Sequence, residues 1–282
     1  MEKLISGGKR LSLSNVVSHI ILILSSITFI FPFYWMIITS LKAPDEIFSS
    51  PPIFIPKKLM WENYVYVTEM IPIVRMLFNS FFVSFSVTFG VLLFCSLSAY
   101  SFARIHFAGR DLIFKILLAT MMVPGMVTII PLFVLMKNLG WLDSYYVLII
   151  PGFFGNAFGV FLLRQFFMTI PTQLDEAARM DGCSLFGIYY RILMPMMKPA
   201  MAALFIFTFM AVWNDFFWPL IMIQSNEYKT LSLGLATFQG MYVTKYDRLM
   251  VGAVISVAPV IIAYIFSQRY FIEGIALTGL KG

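Results

Sequence analysis

Met76–Ala103 reads MLFNSFFVSFSVTFGVLLFCSLSAYSFA, 28 residues without a single Asp, Glu, Lys or Arg. At 1.5 Å of rise per residue, a helix of that length is about 42 Å long and exceeds the roughly 30 Å hydrocarbon layer of a bilayer. An open strand there would leave its backbone N–H and C=O groups without partners, so the stretch predicts a membrane-spanning helix. Working outward, further charge-free runs are Leu11–Leu41 with 31 residues, Ile116–Met136 with 21, and Ser144–Leu163 and Leu249–Gln268 with 20 each. Pro199–Asn214 adds 16, after which Asp215 and eleven more uncharged residues follow. The predicted fold is an all-α integral membrane protein with six transmembrane helices, each needing about 20 apolar residues.

Composition agrees. Of 282 residues, 60% are hydrophobic and 12% charged, with a mean hydropathy of +0.86; a soluble domain carries about 25% charged residues. Two cysteines and two histidines supply neither a disulfide framework nor a metal cluster. Soluble enzymes, secreted disulfide scaffolds and zinc modules are therefore excluded. Lys9 and Arg10 precede the first run as in a signal peptide, but 31 residues far exceed an h-region of about 7–15. It reads as a retained anchor.

Six spans put the N-terminus, the 104–115 turn, the 164–198 segment and the C-terminal tail on one side. That side carries twelve Lys/Arg and six Asp/Glu, the other eight and eight. The positive-inside rule then predicts that both termini are cytoplasmic and reads the net charge of +6 as topology, with no nucleic acid as partner. Between spans one and two, Pro44, Pro51, Pro52, Pro56 and Pro72 mark an ordered external loop rather than a helix.

Arg164–Pro199 is the long cytoplasmic connection. At its centre, Thr172 with Asp175 three positions on approximates a capping box, so a helix should begin there. Gly182 is a natural stop. Leu185, Ile188, Tyr189 and Ile192 follow at helical spacing, and Pro195 and Pro199 should end that second piece. The first helix places small Ala177 and Ala178 on its surface, edged by Glu176, Arg179 and Asp181. Two readings stand on physics alone: a knob that inserts into a groove on a cytoplasmic protein, or an amphipathic helix resting on its own membrane domain.

Glu176-Ala177-Ala178, Gly182 six residues after Glu176, and Ile192-Leu193-Met194-Pro195 resemble the EAA-loop pattern of ABC importer permeases. Met194 stands where that pattern has Leu. Further matching pieces are Thr39-Ser40-Leu41-Lys42, Asn79-Ser80, Ala99-Tyr100-Ser101-Phe102-Ala103-Arg104, Ile130-Pro131-Leu132, Trp213-Asn214-Asp215 and Gln268-Arg269-Tyr270-Phe271. Nearly the whole chain thus resembles the second permease of carbohydrate-uptake importers, the maltose-type and glycerol-phosphate-type group. The resemblance implies a type I ABC importer permease fold in the bacterial or archaeal plasma membrane, organised as residues 1–73 (first helix and external loop), a core of 74–269 containing the EAA segment 171–199, and a tail of 270–282. It implies a second homologous permease, two ATPase subunits docked on Glu176, Ala177, Ala178, Asp181, Gly182, Ile192 and Pro195, and an extracytoplasmic sugar-binding protein. It also implies that Leu280, Lys281 and Gly282 reach the ATPases, and that the loop of roughly Ser225 to Tyr246 meets the binding protein.

The chain itself lacks G-x-x-x-x-G-K-[ST], since Gly7-Gly8-Lys9 is followed by Arg10 without the upstream glycine. It is therefore read as no enzyme, without a cofactor of its own; ATP and Mg are expected in the partner ATPase. Neither G-x-S-x-G nor H-E-x-x-H occurs, which counts against an intramembrane hydrolase. The alternative is a secondary carrier or channel for a small polar solute, working without an ATPase. Candidate pathway residues are Thr128, Asn156, Trp213, Asn214 and Asp215, because sugars are held by hydrogen bonds and aromatic faces. Helix–helix contacts explain Thr128 and Asn156 equally well. Asp215, near the outer interface, has structural, substrate-path and proton-coupling readings. Arg164, closing span four, is expected to snorkel to lipid headgroups.

Overall fold

The computed structural model describes residues 13–238 and 245–279, and every regular element among them is helical. The principal helices are α1 (Leu13–Ser40), α2 (Ile73–Arg104), α3 (Arg110–Ala119), α4 (Gly125–Asn138), α5 (Tyr145–Phe153), α6 (Ala157–Thr169), α7 (Gln173–Met180), α8 (Lys198–Trp213), α9 (Phe217–Met222) and α10 (Tyr246–Gly279). Four stretches are long and apolar enough to cross a membrane: Asn15–Ser40, Ile73–Arg104, Tyr145–Thr169 and Tyr246–Ile265. Six result when two bent pairs each count as one span.

One bend falls within the charge-free run Ile116–Met136 and the other just before Pro199. Arg110–Met122 and Gly125–Asn138 meet at 96°, and Leu185–Met196 and Lys198–Trp213 at 77°. Proline disfavours the helical conformation in the residue before it. Val123 accordingly sits at φ −82°, ψ 115°, and Pro124 opens α4 instead of continuing α3. The helical stretch from Leu185 ends at Met196, as expected, and Pro199 lies in the first turn of α8, where its missing N–H is no loss. The external loop departs from expectation, because Glu62–Met70 within it is helical.

The chain divides into two compact units, one drawn from residues up to Val67 and from Phe238–Val254, the other from Thr68–Thr237 and from Ile255 onward. In the first, α1 exposes every side chain from 15 to 34. Its end is tied down: the Asn63 amide donates to the Ser40 and Lys42 carbonyls at 3.0 Å each, and the Lys42 ammonium lies 4.0 Å above the Trp35 ring.

The second unit is built around α2. Ser80, Ser84, Thr88, Cys95 and Ala99 recur every four or seven residues and are all buried. Small side chains let neighbouring helices approach, which matters in lipid, where association rests on packing and hydrogen bonds rather than on hydrophobic burial. A Cβ on Gly90 would strike the Phe153 carbonyl of α5, and one on Gly159 of α6 would strike the Cys95 sulfur. The other face of α2 is aromatic: Phe78, Phe81, Phe82, Phe85 and Phe89 are exposed.

Candidate functional site: the 170–197 segment and its anchors

Helix α7 begins at Gln173, next to Thr172 as expected, but the capping box is not formed. Thr172 is itself helical (φ −69°, ψ −22°) and its hydroxyl caps nothing; side-chain capping needs an extended residue at that position. Its carbonyl takes the Asp175 and Glu176 amides at 2.9 and 3.2 Å instead. At the other end Gly182 adopts φ +81°, a conformation suited to glycine. The Gly182 amide donates to Arg179 and that of Cys183 to Ala178, which is the Schellman arrangement. Gly182 therefore stops α7 as predicted.

The second arm, Leu185–Met196, starts with the Ser184 hydroxyl accepting the Gly187 amide at 3.1 Å. From Ile188 to Leu193 it winds as a π-helix, a form often found at functional sites. The wider turn brings Ile188, Leu193 and Met197 to one buried side while Leu185 is left exposed, which corrects the 3.6-residue spacing read from the sequence.

Three side chains of α2, each four residues from the next, hold this segment. Ser96 and Tyr189 hydroxyls are 2.8 Å apart, the Tyr100 hydroxyl donates to the Leu185 carbonyl at 3.0 Å, and Arg104 Nη2 donates to the Ile170 carbonyl at 2.6 Å. Arg104 Nε also lies 3.2 Å from Asp175 Oδ2, with the two side chains only 5% and 10% exposed. Removing one partner of such a buried pair costs about 3–5 kcal/mol, because the other charge stays desolvated and uncompensated. The pair was not foreseen; the one hint was an arginine closing an otherwise uncharged run.

What α7 presents outward is Glu176, Ala177, Arg179, Met180, Asp181 and Gly182, with Met180 89% exposed. Pro195 is exposed and Ile192 half-buried. Ala178 is buried against the chain's own core, which corrects its expected place on the surface. Asp175 and Ala178 face inward while Glu176 and Ala177 face out, so α7 is a short, small-sided ridge fixed from behind.

The opposite end of α2 is held as well. Asn79 Nδ2 donates to the Glu227 and Lys229 carbonyls at 2.9 Å each, and its Oδ1 accepts from the Tyr145 hydroxyl at 2.6 Å. Ser80 accepts the Leu231 amide at 2.7 Å, and Arg75 pairs with Glu227 at 2.7 Å in the open. Beside them Asp143, at φ +55°, accepts from the Gln224 and Ser225 amides and the Ser225 hydroxyl at 2.9–3.0 Å. Burial pushes the Asp143 carboxyl up, but these hydrogen bonds outweigh it and hold its pKa below the ordinary aspartate value.

The five pathway candidates are not brought together by any mutual hydrogen bond. Thr128 donates to the Gly125 carbonyl, Asn156 caps α6 by accepting the Gly159 amide at 2.7 Å, and Asn214 donates to Met210. Asp215 accepts the Trp218 amide at 3.2 Å, opening α9. Trp213 is buried and donates to the Ser256 carbonyl at 3.1 Å; it borders a groove of 950 Å³ that is walled mostly by Phe, Met and Ala. Arg164, expected to snorkel, is half-buried and folded onto its own chain. Its Nε donates to the Phe102 carbonyl at 3.3 Å and its guanidinium stands 4.3 Å over the Phe114 ring, a cation–π contact. Leu280, Lys281 and Gly282 lie outside the described residues, as do residues 239–244 of the expected binding-protein loop.

Arabinooligosaccharides transport system permease protein AraQ of Bacillus subtilis (strain 168) is 36% identical over 274 residues, covering 96% of this chain and 97% of that protein. The sn-glycerol-3-phosphate transport system permease protein UgpE of Yersinia enterocolitica is 31% identical over 269 residues, 93% of this chain and 95% of the other. A crystal structure of a bacterial ABC transporter involved in the import of the acidic polysaccharide alginate has a chain of the same fold, with a TM-score of 0.79 over 95% of this chain and 99% of its own length, at 24% identity. Residues 92–276, which include the whole 170–197 segment, match the family described as binding-protein-dependent transport system inner membrane component, and the chain is a multi-pass membrane protein belonging to that family.

Proposed function

We propose that the chain is one permease half of an ATP-driven sugar importer, paired with a second homologous permease, served by an extracytoplasmic sugar-binding protein and driven by two ATPase subunits. The single observation that carries the reading is the ridge of α7. It exposes Glu176, Ala177, Asp181 and Gly182 while Arg104, Tyr100 and Ser96 anchor the segment behind it. A small-sided helix fixed from its rear suits a groove on a partner and transmits force instead of yielding to it. Both termini then lie in the cytoplasm with α7. ATP and Mg belong to the partner ATPases, Pro195 and Ile192 flank the docking surface, and the Leu280-Lys281-Gly282 tail extends toward the same subunits. The sugar class is supported by the named cargo of the AraQ relative, arabinooligosaccharides; that of the UgpE relative, sn-glycerol-3-phosphate, is a polyol phosphate.

Reconstitution tests this. Proteoliposomes holding both permeases and the ATPase subunits should accumulate sugar against its gradient in the presence of MgATP and the binding protein. Glu176→Ala and Gly182→Val should reduce ATPase co-purification while leaving the membrane fold intact. Uphill transport by the chain without an ATPase would replace the proposal with a secondary carrier.

A further inference from the structure

Among the four stretches long and apolar enough to span a membrane, α2 is the one without a proline; Pro32, Pro151 and Pro259 lie within the other three. Kinks in long helices arise mainly at proline, glycine–serine pairs or inserted groups, so α2 has fewer places to flex. Its 32 residues make a rod of about 48 Å. Both ends are clamped by side chains of the helix itself. One end holds the 170–197 segment through Ser96, Tyr100 and Arg104. The other holds 227–231 through Arg75, Asn79 and Ser80. Between the clamps, the small-residue stripe packs α2 closely against α5 and α6.

We infer that α2 is the transmission rod of this permease, with Arg104–Asp175 and Asn79 as positioning residues that carry displacement of α7 to the 223–231 loop on the far face. The inference rests on the proposed docking of an ATPase at α7 and adds the route by which that docking is felt elsewhere. The helix combines one stiff element, polar clamps at both termini, and a buried ion pair that fixes the register of α7 on the helix end. A segment held only by apolar contact could slide; one held by Arg104 to both Ile170 and Asp175 cannot move without taking the helix end along.

The test uses the assembled importer in proteoliposomes, carrying Gln224→Cys on a Cys95→Ser, Cys183→Ser background. Gln224 is exposed, so its reaction with a charged maleimide is measurable. MgATP with orthovanadate serves as the probe, which needs no knowledge of the sugar. Trapping should change the Gln224→Cys reaction rate by about fivefold or more, the usual scale of coupling between sites. Asn79→Ala, at the end of α2 remote from α7, should abolish that change while ATPase co-purification and hydrolysis persist; Arg104→Gln and Asp175→Asn should abolish it together with a weakened hold on the ATPase, and the exchanged pair R104D/D175R should recover part of both. A merely structural contact would not remove the nucleotide dependence from an otherwise assembled complex. A rate that ignores trapping in the unmodified importer, or a full response in the three single variants, overturns the rod. Failure of the unmodified chain to retain any ATPase would instead remove the docking reading beneath it.

Discussion

The two ends of α2 each carry an arginine–carboxylate pair, and the pairs are built differently. Arg104 and Asp175 are 5% and 10% exposed and share their surroundings with the Ile170 carbonyl. Arg75 and Glu227 approach more closely, at 2.7 Å, yet are 52% and 54% exposed. Distance alone would rank the second pair higher. Solvent reverses the order, because water and salt screen an exposed pair while a buried one has nothing else to turn to. The exposed end compensates with neutral hydrogen bonds from Asn79 and Ser80 to backbone. One end is specified by charge, the other by shape and hydrogen bonding.

The largest effect should come from halving the buried pair. Arg104→Ala or Asp175→Ala is expected to lower stability by about 3–5 kcal/mol, read as the shift of the unfolding transition in detergent, whereas replacing both by apolar residues of similar volume should cost far less. Equal losses in the single and double variants would contradict the assignment of a coupled pair. Next comes Asn79→Ala, which strips donors from the Glu227 and Lys229 carbonyls. A loss of about 1–3 kcal/mol is expected, with faster amide exchange across 227–231.

Acid should then loosen the loop beside Asp143. Its folded pKa lies below the ordinary aspartate value, and the unfolded reference is about 3.9. Stability from this group is therefore fully present above pH about 4 and is lost as pH falls through the depressed folded value. A spin label on Gln224→Cys should become mobile on that acid side, and Asp143→Asn should blunt the transition. Arg75→Ala should do least, within about 0–1 kcal/mol and shrinking with added salt. A loss from Arg75→Ala matching that from Arg104→Ala would erase the contrast between the ends.

Much of this architecture was readable in advance, for a physical reason. Charge is costly in hydrocarbon, so charge-free runs mark spans, and the buried stripe of α2 falls inside Met76–Ala103. Gly182 was readable because a left-handed helix stop has few solutions. What escaped depended on contacts distant in sequence. Arg104 and Ile170 are 66 positions apart, and nothing local to Asp175 distinguishes a capping carboxylate from one turned inward to an arginine. The fate of Ala178 followed from that same rotation of α7. Arg164 has the reach to snorkel, and only the placement of Phe114 and Phe102 decides that it folds inward. Prolines were visible, but Pro124 breaks its span while Pro131 sits within α4. Whether a freed carbonyl finds a new partner depends on neighbouring elements.

The central claim is that the α7 ridge meets a nucleotide-hydrolysing subunit. Met180, 89% exposed on that ridge, can be replaced by a photoactivatable cross-linking residue in membranes expressing the full importer. The account predicts one dominant adduct, between this chain and the ATPase subunit, that is lost when Gly182→Val displaces the end of α7. Adducts confined to lipid or to the chain itself, in membranes where the ATPase is present and transport proceeds, would contradict it.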